Sequence, residues 1–99
     1  MADLTIIYWR DIPAQVVAKR GRESAKRELP ARFVEAIDMA AMRSGARDDQ
    51  SYLDEWRRGA PEPCGEDLDA AAEAAVDRLD AEYDQDRLAR LVGAGGRAA

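Results

Sequence analysis

The spacing of apolar residues along the chain changes as one element gives way to the next. Near the N-terminus, LTIIYWR (Leu4 to Arg10) is β-branched and aromatic, short, and bounded by Asp11-Ile12-Pro13. That combination predicts a strand over residues 4–10. Alternation places Leu4, Ile6 and Tyr8 on one face and Thr5, Ile7 and Trp9 on the other. Both faces are apolar, so the strand is expected to be central or covered on both sides. Pro13 is expected to end it and shape the connection. AQVVAKR (Ala14 to Arg20) predicts a second strand, joined to the first as an antiparallel hairpin and ended by Gly21.

The period then lengthens. ELPARFVEAIDMAAMRSG (Glu28 to Gly45) predicts a helix over residues 30–44, with Pro30 in its first turn, Arg43 near its end and Gly45 as the C′ residue. Phe33, Ile37, Ala40 and Ser44 form one stripe, widened by Val34 and Ala41. In SYLDEWRRGAP, Tyr52 and Trp56 share a face in a helix and in a strand alike, and periodicity does not separate the two. A strand over 52–58 that completes the sheet is the preferred reading. GAPEPCG reads as a loop. EDLDAAAEAAVDRLDAEY predicts a helix over residues 66–82, with Leu68, Ala72, Ala75, Val76, Leu79 and Tyr83 as a narrow apolar stripe. Asp84 suits the cap of a further short helix through Leu91 and Val92. Residues 93–99 (GAGGRAA) have nothing to bury and are expected to form a flexible tail. The expected fold class is α+β: one domain over residues 1–92, with a small, mainly antiparallel sheet packed against two or three helices.

Composition narrows the function classes. Of 99 residues, 46% are hydrophobic, but alanine supplies much of that share, so the core must come from few large side chains. Leu53 and Trp56 are expected among them. No apolar run approaches the length of a membrane span, and the N-terminus lacks the basic region and cleavage site of a signal peptide, so a cytoplasmic protein is expected. Cys64 is the single cysteine and there is no histidine. No disulfide within the chain, no cysteine-rich zinc site and no metal centre is therefore expected.

Charge divides the chain. Residues 1–47 hold nine Lys/Arg against six Asp/Glu, whereas residues 48–99 hold six against fourteen, consistent with the overall net charge of −5. Within the basic half, VVAKRGRESAKR concentrates Lys19, Arg20, Arg22, Lys26 and Arg27 around Gly21, opposed only by Glu23. Such a cluster can bind phosphate, nucleic acid or an acidic protein surface, can face the acidic C-terminal helix of its own or a neighbouring chain, or can be simply the solvated edge of a strand. Nucleic acid is disfavoured, because the pI is about 4.7 and no RNA-binding signature accompanies the cluster. Two Trp-Arg pairs, Trp9-Arg10 and Trp56-Arg57, are further contact candidates, since Trp and Arg are enriched at binding hot spots. The residues expected to contact a protein partner are thus Arg10, Lys19, Arg20, Arg22, Lys26, Arg27, Trp56 and Arg57.

Candidate catalysis is thinner. Asp48-Asp49, Asp54-Glu55 and Glu66-Asp67 are carboxylate pairs, but acids in loops and at helix starts ordinarily serve as solvated caps, and no catalytic residue is assigned. The acidic segment 66–86 lacks the Asp/Asn-Gly pattern of a calcium loop. Cys64 precedes a helix N-terminus, a place that can lower a thiol pKa, so it is a candidate reactive thiol, although no partner base is visible.

Three blocks, TIIYWRDIPAQVVAK, AKRELPARFVEAIDMAAM and YLDEWRRG with PEPC, together resemble the small stand-alone "virulence factor" domain proteins of alphaproteobacteria. A related domain occurs in a larger conserved virulence factor of Gram-positive bacteria. The resemblance spans residues 4–80 and is most specific in YWRDIPAQV. It implies no catalytic residues. It does imply a setting, near split cobalamin-dependent methionine synthase and methyltetrahydrofolate methyltransferase components. From this follows the expectation of an accessory or adaptor protein without enzymatic activity, partnered by a corrinoid-dependent methyltransferase component in one-carbon metabolism. Without a histidine to ligate cobalt from below, the chain is not expected to carry a corrinoid or any other cofactor. Two rival classes remain, a small nucleic-acid-binding regulator and a redox or transfer protein that uses Cys64.

Overall fold

A computed structural model describes residues 2–45 and 49–98; Asp48 of the first carboxylate pair lies outside them. The elements run β1 (Asp3–Trp9), β2 (Ile12–Arg20), β3 (Glu23–Glu28), α1 (Ala31–Ser44), α2 (Asp49–Asp54), β4 (Trp56–Arg58), β5 (Glu62–Pro63), α3 (Leu68–Glu82) and α4 (Gln85–Gly93). The strands form one sheet in the order β3-β2-β1-β4, with β5 also paired to β1, and the pairings are antiparallel. The fold is α+β.

β1 is central, as its two apolar faces require; α1 and α3 pack on one face of the sheet, while Tyr52 of α2 packs against Trp9 and Trp56 at the end of β1. Leu4 and Ile6 of β1 lie opposite Ala18 and Val16 of β2, and these four join Phe33, Ile37, Ala72 and Leu79 in the helix-covered core. Paired residues share a face, so Thr5, Ile7 and Val17 point the other way. Val17 is buried there, outside the core cluster. Of the two alternatives expected for β1, central or covered on both sides, the first holds, since β1 lies between β2 and β4.

Pro13 does not end a strand. It lies inside β2 opposite Tyr8, where the register with β1 shifts, and a bulge is where a sheet tolerates a residue without an N–H. The hairpin turn shrinks to Arg10 and Asp11. Arg10 there adopts φ 54°, a left-handed conformation that a residue with a Cβ takes only when its surroundings hold it.

β3 is absent from the sequence reading. Its segment, ESAKRE, has a single apolar inward residue, Ala25, which is paired to Ala18. An edge strand this polar carries little hydrophobic signal, and its charges protect the open edge. The preferred strand over 52–58 is likewise corrected. Residues up to Asp54 are helical and only Trp56–Arg58 pair with β1. That geometry turns Tyr52 inward, stacked 5.8 Å from Trp9, and leaves Leu53 60% exposed instead of in the core. Val34 is also exposed, so the buried stripe of α1 is Phe33, Ala36, Ile37, Ala40 and Ala41.

The expected caps at Asp84 and Gly45 are present, whereas α3 starts at Leu68 with Asp67 as its cap and Pro30 stands just ahead of α1. Asp67 accepts the Ala70 N–H at 3.1 Å and Asp84 accepts the Arg87 N–H at 2.8 Å, each satisfying a free helix donor. Gly45 closes α1 at φ 80°. The C-terminal segment, expected to fray, instead meets the β1–β2 turn. Asp11 N–H donates to Gly96 O at 2.8 Å, Arg10 Nη1 to Gly95 O at 2.7 Å, and Ala98 N–H to Asp11 Oδ2 at 2.6 Å. Gly96 has φ 91°, and a Cβ there would stand 2.9 Å from the Trp9 ring, so the approach requires glycine.

Candidate functional site

The pleat of the sheet sorts the basic cluster into two sets. On β3, Arg27 is paired with Val16 and so points toward the helices; its neighbour Lys26 is paired with Val17 and points to the open face. On β2 the same alternation separates Arg20 from Lys19.

The inward arginines meet the acidic helix. Arg27 reaches Asp69 at 2.9 Å and Glu73 at 3.9 Å on α3, while Arg20 reaches Glu66 and Glu23, each at 3.1 Å. These partners hold the Arg20 guanidinium even more firmly protonated than usual, the Glu66 hydrogen bond first and Glu23 second. The pairs are solvent-exposed and screened, so each contributes little to stability. They nevertheless occupy the donors that an external anion would need.

The open face keeps its cations free. Ile7 lies opposite Arg58 on one side and Gln15 on the other, and Trp9 lies opposite Trp56. The face therefore carries Thr5, Ile7, Val17 and the partly exposed Trp56, flanked by Lys19, Lys26 and Arg58. None of these three cations forms an ion pair among the described residues, and Arg22 at the hairpin tip forms none either. Asp3 and Glu28 share the face.

Arg10 and Arg57 have other duties. The Arg10 side chain is 13% exposed, stacks 4.9 Å above Trp9, and ties Glu55 and Gly95 to the turn. Arg57 donates to Arg10 O at 2.9 Å and Asp11 Oδ1 at 3.1 Å while lying 4.4 Å over the Tyr8 ring. Of the eight candidates, Lys19, Lys26 and Trp56 share the open face, Arg22 lies at its rim, Arg20 and Arg27 serve the intramolecular interface, and Arg10 is structural. Arg57 opens onto a separate cleft.

That cleft, about 550 Å³, is lined by Tyr8, Asp11, Arg57, Tyr83, Arg87, Arg90, Leu91 and Arg97, among others. Sequence reasoning missed it apart from Arg57. The local signal is the spacing of Arg87 and Arg90, three apart on α4 and hence on one face. Burial pushes the Tyr8 phenol pKa up, and neighbouring Tyr83 and Glu62 act in the same direction against Arg57 and Arg78. Tyr8 is therefore a hydrogen-bond donor at neutral pH.

Cys64 is half-buried, its N–H bonded to Ala2 O at 3.1 Å. Burial raises its thiol pKa, and Asp3 and Glu66 raise it further. That direction is opposite to the lowering a helix N-terminus would produce. Among the described residues, no group of three or more His, Cys, Asp or Glu side chains could hold a metal ion, and no helix is long and apolar enough to cross a membrane.

Comparison with curated proteins and with solved structures finds no significant match. Comparison with family models matches one, described as virulence factor, over residues 7–92. That span contains β2 to α3 whole and α4 up to Val92, the basic hairpin and all of the cleft's arginines but Arg97, and by it the chain belongs to the virulence factor family.

Proposed function

We propose that this protein is a cytoplasmic accessory protein, without catalytic activity of its own, that docks an acidic protein partner through the open face of its sheet. The observation that carries this reading is the sorting by the pleat. Lys19, Lys26 and Arg58 surround a strip of Thr5, Ile7, Val17 and Trp56 on the face opposite α1 and α3, with Tyr52 of α2 packed against Trp56 at its end. An apolar centre with charged flanks is the usual anatomy of a protein contact. Asp3 and Glu28 on the same face call for a partner with acids set opposite the three cations, not a uniformly acidic surface. The family resemblance supplies the partner to test, a component of a corrinoid-dependent methyltransferase.

The test is direct binding to that purified component by biolayer interferometry. Reversing Lys19, Lys26 and Arg58 to Glu should weaken the complex by at least about tenfold, mainly through the association rate, and added salt should weaken the wild-type complex. A Kd that ignores the triple reversal overturns the docking face.

A further inference from the structure

We propose that the cleft between β1, β4 and α4 binds a small organic polyanion, a molecule with clustered phosphate or carboxylate oxygens. The half of the chain that supplies most of this cleft is strongly acidic, yet four of its six basic residues converge there: Arg57, Arg87, Arg90 and Arg97. Asp11 is the one carboxylate in the lining, and it is already engaged by Arg57 Nη2 and the Ala98 N–H. Arg97 is held at the rim by Glu55, at 3.2 Å.

Arg87 and Arg90 carry no ion pair among the described residues. Arg87 is nonetheless pre-positioned. It donates through Nη1 to Glu82 O at 3.0 Å and stacks 4.0 Å over Tyr83, which leaves its remaining N–H groups for a ligand. Arg57 is fixed in the same manner over Tyr8, with Nη1 unused among the described residues. Guanidinium groups anchored on rings lose little side-chain entropy on binding, and their planar forks suit phosphate and carboxylate oxygens.

Size and lining set the rest of the ligand. The volume of about 550 Å³ falls in the range of small-molecule sites and exceeds what a bare inorganic anion fills. Tyr8, Tyr83, Leu91 and Ala94 offer apolar surface for an organic body beside the anionic head. This inference is independent of the docking face, because Tyr8 and Arg57 point to the helical side of the sheet.

Isothermal titration of the full chain at low salt, with inorganic pyrophosphate in one arm and citrate in the other, tests it. Saturable binding of either probe is expected, and the tighter arm identifies phosphate or carboxylate as the preferred head group. In the R87Q/R90Q variant, affinity should fall at least about tenfold with the urea midpoint unchanged, whereas R87K/R90K should recover part of it. K19Q/K26Q, on the other face, should bind as the wild type does. The proposal is overturned if neither probe binds saturably, if binding survives R87Q/R90Q, or if K19Q/K26Q loses as much affinity as the cleft variant.

Discussion

The β2–β3 hairpin and the α4 cleft make opposite use of arginine. In the hairpin, five basic residues crowd into the nine positions from Lys19 to Arg27, and the fold then neutralises the inward ones against Glu66, Asp69 and Glu73. In the cleft, Arg57, Arg87, Arg90 and Arg97 are scattered over forty-one positions among many acids, and the fold gathers them around one cavity. Density of charge along a chain is thus a poor guide to density of charge in space. The pleat halves a local cluster, while tertiary packing assembles a distant one.

The contrast breaks most readily at the turn joining β1 to β2, where the C-terminal segment is tied down. Arg10→Ala removes a largely buried guanidinium bonded to Gly95 O and Glu55, and should cost about 1.5–3 kcal/mol in urea unfolding, the range for charged hydrogen bonds. Gly96→Ala, which drives a Cβ into Trp9 from a left-handed backbone, should cost about 1–3 kcal/mol. In both variants anion binding should weaken as well, because Arg97 and Ala98 form one end of the cleft. Wild-type stability in either variant would show that the tail does not hold the turn.

A smaller effect is expected in the hairpin. A double-mutant cycle on Arg27 and Asp69 should give a coupling of about 0.2–1 kcal/mol, whereas Lys26 with Asp69 should give none. Equal coupling for the two basic residues would mean that the pleat does not sort them. The smallest effect concerns pH. Burial raises the phenol pKa of Tyr8 and Tyr52 in the folded state above the ordinary value of 10.0. Their contribution to stability is complete below the unfolded value and is lost as pH climbs through the raised folded values. Denaturation midpoints should therefore not respond to these phenols near neutrality and should fall above about pH 10; a Tyr8→Phe variant should flatten part of that fall.

Local signals were legible wherever the determinant is local. The caps at Asp84 and Gly45 act within a few residues of their own helix ends, so they are readable without knowing the fold. The acids of α3 avoid its buried stripe for the same reason. β3 was not legible, because its strand character comes from pairing with β2 and not from its own apolar content. Leu53 is exposed against expectation because a turn of helix, and not a strand, decides which of two adjacent side chains faces Trp9, and it selects Tyr52.

The sequence by itself determined the α+β class, the main helices and their caps, the central position of β1 and the electrostatic division of the chain. Periodicity, capping chemistry and net charge are properties of neighbours along the backbone. Only the tertiary structure decided which side of the sheet stays open, that Arg20 and Arg27 are spent on the chain's own acids, and that four arginines from β4, α4 and the C-terminal segment share one cleft. Those outcomes depend on the direction of each side chain from the sheet and on contacts between residues more than forty positions apart, which no local pattern encodes.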